Sequence, residues 1–570
     1  MTFLPIVDRE LRLAARRRTT YFTRIGAAGL VIIIFAALQL TPALRLGLFL
    51  TTGQVQFFVL KWLGFLFACS TGVFLTSDAL SEEKREGTLG LLFLTDLRGY
   101  DVVLGKFISH SLQAFYGLLA AFPVLALTLL AGGVSGGEFW RMMLVFCNTL
   151  FFSLSAGLLV SAISRDAMKA INGTLLLCLL FIGGLPLADW AGAAWDPLKF
   201  APRLSLASPG HLFVTAGAIV TKGFWLQLGL QHFLGWVFLA GSSVCTPRAW
   251  QDKTAGVSVS GSVGRGFWRY GTARGRAALR RKLLARDPIL WLALRDRWLP
   301  RLAWAVAGLT LGLIAWAVIR NGDFKAPLAI GFYSHGLLLV AVHVWIASQA
   351  SRFFVDAARS GMMELVLAAP VTPPQIVRSV WTGLVRTFLF PAALVVGLKI
   401  GGAVVISLEL QKAVAGSGAS PGLSFIHYQI VSMVVGVVSF AADLPAVAWF
   451  GMWMGLRTKK TPLAVVKTFT FVIVLPSLAL MFMQGFIMSL LAMTLGLGRV
   501  WGGWFSLAGP VLIGAVNVGK NIFFIGWSRS KLLTRFRETV AREGPLVVSP
   551  SPLPLPAPVR PPLIAGAPEP

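Results

Sequence analysis

Acidic side chains are scarce in this chain, and charge of either sign is thin. Asp and Glu number 23 in 570 residues and charged residues make up 13%, against a soluble average of about 25%. With 56% hydrophobic residues, that shortage excludes a string of soluble domains and leaves a membrane protein. Cysteine is equally sparse. Cys69, Cys147, Cys178 and Cys245 all fall in or beside apolar segments and show neither a disulfide framework nor the close Cys/His spacing of a metal site, so buried, reduced thiols are expected. No Ser/His/Asp, paired-carboxylate or His-x-x-x-His arrangement occurs in any polar stretch, which leaves an enzyme reading without residues to stand on. A cleavable signal peptide is missing too. Asp8, Arg9, Glu10, Arg12 and Arg16-Arg17-Arg18 precede an apolar run from Ile25 that no small-residue cleavage site closes, so the first span is expected to stay in the membrane.

Long hydrophobic runs are what the chain does have. A hydrocarbon core of about 30 Å needs roughly 20 apolar residues in a helix. By that rule, spans are expected near residues 25 to 43, 55 to 77, 107 to 131, 142 to 164, 170 to 188 and 220 to 244. A second set is expected near 302 to 319, 329 to 351, 380 to 406, 428 to 456, 465 to 495 and 504 to 527. The net charge of +28 belongs in such a protein on cytoplasmic loops, so nucleic acid is not an expected partner. Basic residues do gather on alternate loops: the N-terminal arm, Arg165 and Lys169, the central linker, Arg352 to Arg378, Arg457 to Lys460, and Arg529 to Arg537. Alternation then puts both termini in the cytoplasm.

The most charged loop is Ser81-Glu82-Glu83-Lys84-Arg85-Glu86-Gly87-Thr88, which turns abruptly into the apolar run Leu89 to Leu94. A weaker copy, Asp356 to Pro370, aligns Arg359 with Arg85 and Gly361 with Gly87, and places Glu364 in the apolar run. Two further landmarks recur in the same order: Pro5 to Arg12 with Pro288 to Arg295, and Gly157 to Arg165 with Gly451 to Arg457. Six spans separate the copies, so the repeat is parallel. By composition alone, the apolar part of the loop is either a helix that docks into a partner's groove, with Leu91 on it and charges orienting the partner, or an interfacial helix under the headgroups.

At these residues the chain resembles the permease subunits of type-2 ATP-binding-cassette transporters, a mostly bacterial and archaeal, exporter-type group. The resemblance runs through Ser81 to Leu97, Val103-Leu-Gly-Lys106, Gly132 to Ser135, and Gly157-Leu158 with Arg165. It covers residues 5 to 245 well and 288 to 527 more loosely. It implies a six-helix membrane domain with an amphipathic lead-in helix, a cytoplasmic coupling helix between the second and third spans, and a substrate path between two such domains. It also implies two cytoplasmic nucleotide-binding ATPase subunits that hold the ATP and Mg, in the cytoplasmic (inner) membrane of a prokaryote. The chain departs from the group by fusing two domains, and Ser360 and Met362 stand where the first loop has Glu86 and Thr88.

The string closest to a phosphate-binding loop, Gly514 to Asn521, ends in Asn rather than Ser or Thr and lies in an apolar segment, so this chain is not expected to hydrolyse ATP or hold a cofactor or metal. Ionisable residues inside spans are functional candidates by default. Asp443, just before Pro445, is read either as a structural carboxyl at the Pro break or as part of a substrate path; His335, His343, Lys399 and Glu409 are lesser cases. The broken segment from Leu185 to Thr221 is expected to form re-entrant or interfacial hairpins. The linker from Arg248 to Arg301 holds thirteen Lys or Arg and three Asp and is solvated or set against lipid headgroups. The stretch from Gly544 is Pro-rich and expected to be disordered.

The expected fold is therefore all-α and polytopic, with about twelve membrane helices. Its divisions are a first six-helix domain (1–247), a basic linker (248–301), a second six-helix domain (302–528) and a basic, Pro-rich tail (529–570). A transporter permease is the first reading and should show a cavity between its halves. A membrane scaffold should show a packed seam, and an ion-coupled secondary transporter should show paired intramembrane charges.

Overall fold

Apolar runs set the length of each element, and polar caps set where it begins. The computed structural model describes residues 52–189, 204–217, 223–249, 287–294, 325–416, 423–480 and 502–543, apart from a few single positions, with scattered residues of 7–38, 277–284 and 304–319 and position 483. The first half contributes α1 (Thr52–Thr71), α2 (Ala79–Glu86), α3 (Thr88–Phe93), α4 (Gly99–Leu130), α5 (Gly136–Ile163), α6 (Ala167–Leu179), α7 (Pro209–Ala216) and α8 (Phe224–Ala249). After the short α9 (Pro288–Leu294), the second half contributes α10 (Lys325–Arg359), α11 (Met362–Ala368), α12 (Pro373–Gly416), α13 (Leu423–Arg457), α14 (Thr461–Phe469), α15 (Gly502–Thr534) and α16 (Phe536–Glu543). Among the described residues there is no strand.

Among the described residues nine helices are long and apolar enough to cross a bilayer, and they coincide with nine of the twelve expected spans. The span expected at 465 to 495 begins as a shorter apolar helix, Thr461–Ser477. Those expected at 25 to 43 and 302 to 319 lie outside the described residues apart from scattered positions. Side chains cap the starts: Ser135 accepts from the Glu138 N–H (3.1 Å) and Asp166 from the Met168 N–H (2.9 Å), each satisfying a donor that the first turn leaves without a partner. In the expected hairpin region, Ser208 caps α7 through the His211 N–H with Pro209 following, and the buried Asp189 accepts from the backbone N–H groups of Leu204 and Ser205.

Close approach of backbones fixes the centre of the first half. Gly72 and Gly157 face each other where α1 crosses α5, and a Cβ on either would meet atoms of the other helix. There α1 widens into a π-turn, Gly72–Thr76, and the Thr76 hydroxyl donates to Leu154 O (3.0 Å). π-turns also follow α6 (Leu180–Gly184) and α14 (Thr470–Val474). No bulky residue fits such a seam, so small residues carry it.

The two halves share a core. Val73, Met168, Ile171, Leu175 and Cys178 pack in the same buried cluster as Trp345, Ala347, Ala350, Met452 and Ala464, so α6 meets α10 and α14, and the π-turn that follows α1 meets α14, along a packed seam. The Ser348 hydroxyl reaches Asn172 Oδ1 across it (3.4 Å). All four cysteines are free thiols; Cys178 is buried and the others are half-buried.

Candidate functional site

A glycine in the left-handed region turns each charged loop. Gly87 (φ +75°) closes α2 and opens α3, and Gly361 (φ +68°) separates α10 from α11. Only glycine adopts this conformation without steric cost, so the residue fixes the corner. Two positions further on, Leu89 and Met363 are buried; four positions on, Leu91 and Leu365 stand 64% and 73% exposed. The exits match as well. The Arg98 N–H donates to Asp101 Oδ2 (2.9 Å) at the start of α4, and the Thr372 N–H donates to Gln375 Oε1 (2.9 Å) at the start of α12. The alignment of Arg85 with Arg359 and Gly87 with Gly361 is thus matched corner for corner.

The charges of the first loop do not stand free as the sequence led us to expect. Glu83 pairs with Lys106 of α4 (2.8 Å) and accepts from the Thr88 hydroxyl. Lys84 donates to the carbonyls of Ser161 (3.2 Å), Ala162 and Ser164 (3.3 Å), which close α5. These are carbonyls a helix C-terminus leaves without internal donors, so the ammonium is held by geometry and dipole together. Arg85 grips both oxygens of Asp78 (2.8 and 2.9 Å) and donates to Arg165 O (3.3 Å). In return, Ser161 Oγ accepts from the N–H groups of Leu80 and Ser81 (3.0 Å each) and caps α2. The result fastens α2 to α5 and α4. Glu86 remains exposed, as do Arg359 and Glu364 in the second loop. Leu94 is 77% exposed, so the outermost surface of α3 and its end is apolar.

Sequence reasoning missed a pair of ion bridges between the halves. Asp166, the N-cap of α6, meets Arg352 near the end of α10 at 3.0 Å. Lys460, the N-cap of α14, meets Glu82 of α2 at 2.6 Å. Each bridge joins the cap of one half to the loop-side end of the other half's helix, and the polarity is reversed between them. Arg352 also reaches Asp356 (3.3 Å). No local signal announces such pairs, because the partners lie far apart in sequence.

Asp443 is not at a bare Pro break. Its Oδ1 accepts from Asn521 (2.7 Å), Lys520 (3.1 Å) and Asn517 (3.4 Å), all on one face of α15, since positions three and four apart share a face. Lys520 donates also to Val472 O (3.0 Å) in the π-turn after α14. The string compared with a phosphate-binding loop therefore lies inside a helix, and its polar members hold Asp443. Of the lesser candidates, Lys399 donates to Gly436 O (2.7 Å), and His343 is buried, with Nδ1 donating to Leu339 O (2.7 Å) and its ring edge-on to Phe440. The side chains of His335 and Glu409 lie outside the described set.

Residues 14–242 match the family model described as ABC-2 family transporter protein. No curated protein matches the chain.

Proposed function

We propose, from the match of residues 14–242 to the ABC-2 family transporter model, that the whole chain is the membrane-spanning part of an ATP-binding-cassette transporter. Two six-helix domains, 1–247 and 302–528, are fused as a pseudo-dimer across the cytoplasmic membrane of a prokaryote, with both termini inside. Two separate ATPase subunits supply ATP, Mg and hydrolysis. The observation that carries this reading is the repeated corner: Gly87 with Leu91 and Gly361 with Leu365 present the same apolar knob from both halves. Such a knob suits a groove on a soluble partner.

The geometry supports a route for force. An ATPase that grips Leu91 moves α3, and the Gly87 corner passes the motion to α2. Lys84 and the Glu83–Lys106 pair couple α2 to α5 and α4. Glu82 couples it to the other half through Lys460. The two reversed bridges then act as a cytoplasmic clasp that is closed in this conformation. The substrate path opens along the seam when the clasp parts.

Two observations favour other readings. The seam between the halves is packed, which suits a scaffold. The Asp443–Lys520 pair (3.1 Å) is the paired intramembrane charge that an ion-coupled carrier requires. Three amide and ammonium donors already satisfy Asp443, which favours a clamp between α13 and α15 over a titrating site. Co-purification of the chain with candidate ATPase subunits tests the proposal. An ATPase bound to wild type and lost from a Leu91→Asp/Leu365→Asp variant supports it; no ATPase bound to either favours the scaffold.

A further inference from the structure

An apolar crevice of about 240 Å³ opens in the second half between α10, α12 and α13. Every lining residue is apolar, from Ile346 on α10 and Trp381 to Ala392 on α12 to Ala441, Leu444, Pro445 and Ala448 on α13. Pro445 lies inside α13 beside it, and Pro391 lies inside α12 at its inner end. A proline inside a helix removes a backbone bond and bends the rod. The crevice lies between two helices that each carry such a proline.

The crevice has the length of one leaflet. Along α12 it runs from Trp381 to Ala392, about 16 Å at the helical rise, against about 15 Å for half a hydrocarbon core. Its outer end lies near the basic-loop side, where α12 begins at Pro373 and α13 ends at Arg457. Trp381 stacks on Trp449 there (5.3 Å, 25°), at the level where tryptophan pairs mark the headgroup boundary. The mouth is formed by Val385, 38% exposed, and Leu389, 66% exposed.

Cations complete the arrangement. Arg378 stands one turn outward from Trp381 on the same helix, and Arg386 adjoins Val385; both are exposed. Among the described residues neither guanidinium has an acidic partner. An arginine at membrane depth without a counter-ion reaches for phosphate by extending its stem toward the headgroups.

We propose that this crevice binds one acyl chain of an anionic phospholipid of the cytoplasmic leaflet, with Arg378 and Arg386 holding its phosphate. The bare crevice would otherwise expose α10 and α13 to disordered tails at a proline break. A seated chain fills the crevice and fixes the angle of α12 against α13.

The test uses the full chain in phosphatidylcholine nanodiscs that contain a phosphatidylglycerol with a diazirine on its acyl chain. Labelled peptides are mapped by mass spectrometry. Labelling at Val385, Leu389 and Ala441 at least fivefold above that at the exposed Ile522 and Phe523 of α15 is expected, displaced by unlabelled phosphatidylglycerol and not by phosphatidylcholine. Filling the crevice with Ala441→Phe should cut that labelling at least fivefold. Because that variant can misfold, Arg378→Gln/Arg386→Gln, which alters exposed side chains alone, is expected to abolish the preference for the anionic lipid. Labelling equal to that of α15, displacement by both lipids alike, or a preference unchanged in the double Gln variant overturns the proposal.

Discussion

Swapping the charges of the clasp between Asp166 and Arg352 separates its contribution from ordinary helix capping. Arg352 and Asp166 are 18% and 25% exposed. Two unit charges at 4 Å attract by about 4 kcal/mol at an effective dielectric of 20, and partial exposure and side-chain ordering reduce the net to about 1 kcal/mol. Asp166→Arg also deletes the N-cap to Met168, a further ~1 kcal/mol. Arg352→Asp loses the contact to Asp356 as well, a few tenths of a kcal/mol. The double variant restores the bridge with reversed sign and not the cap, so a double-mutant cycle should return a coupling of about 1 kcal/mol. The readout is opening of the seam. Ser348 is fully buried there, so in a chain freed of its four native cysteines, labelling of Ser348→Cys by a hydrophilic maleimide reports parting of the halves. An opening free energy lowered by about 1 kcal/mol raises labelling roughly fivefold in each single variant. The swap should come back to within about twofold or threefold of the parent. Singles that label no faster than the parent, or a swap no slower than the singles, would refute a clasp at this position.

Other perturbations separate the remaining parts. Gly361→Ala forces a Cβ into the left-handed region at a cost of about 1 kcal/mol, and ATPase stimulation should fall while membrane insertion persists; full stimulation in that variant would count against the corner. Asp443→Asn leaves the Lys520 ammonium buried without its anion, which should destabilise the chain by about 3 kcal/mol or more. Adding Lys520→Met should recover folded yield, seen by size-exclusion chromatography. If that double variant folds yet has lost all transport, Asp443 acts on substrate rather than as a clamp. Lys106→Met should destabilise by roughly 2 kcal/mol, since it takes the cation from a nearly buried Glu83 that keeps the Thr88 hydroxyl; an unchanged melting midpoint would show that α2 is not held through this pair.

The parts of the fold that follow from a single helix were legible in the sequence, and those that need two helices were not. Twenty apolar residues in a row mark a span wherever it packs, so nine spans coincide with the expected ones. Gly87 and Gly361 were legible as the same step from charge to an apolar run, and their left-handed turn is what the structure adds. The roles of Glu82, Glu83 and Lys84 were not legible, because the groups that take up these charges lie on α4, at the end of α5 and at the cap of α14. Lys520 was hidden by similar geometry: its string invited comparison with a nucleotide loop, and only the face shared with Asn517 and Asn521 turns it toward Asp443. The π-turns carry no signal of their own, since Gly72–Thr76 is as apolar as its neighbours.

In the proposed transporter, Leu91 and Leu365 transmit the work of a separate ATPase. The direct measurement is ATP hydrolysis by the reconstituted chain and its candidate ATPase subunits, for wild type, Leu91→Asp, Leu365→Asp and the pair. Both side chains are exposed, so folding should change by no more than about 0.5 kcal/mol. Permease-dependent hydrolysis should fall in each single variant and be lost in the double. Hydrolysis equal in the double variant and wild type would contradict it.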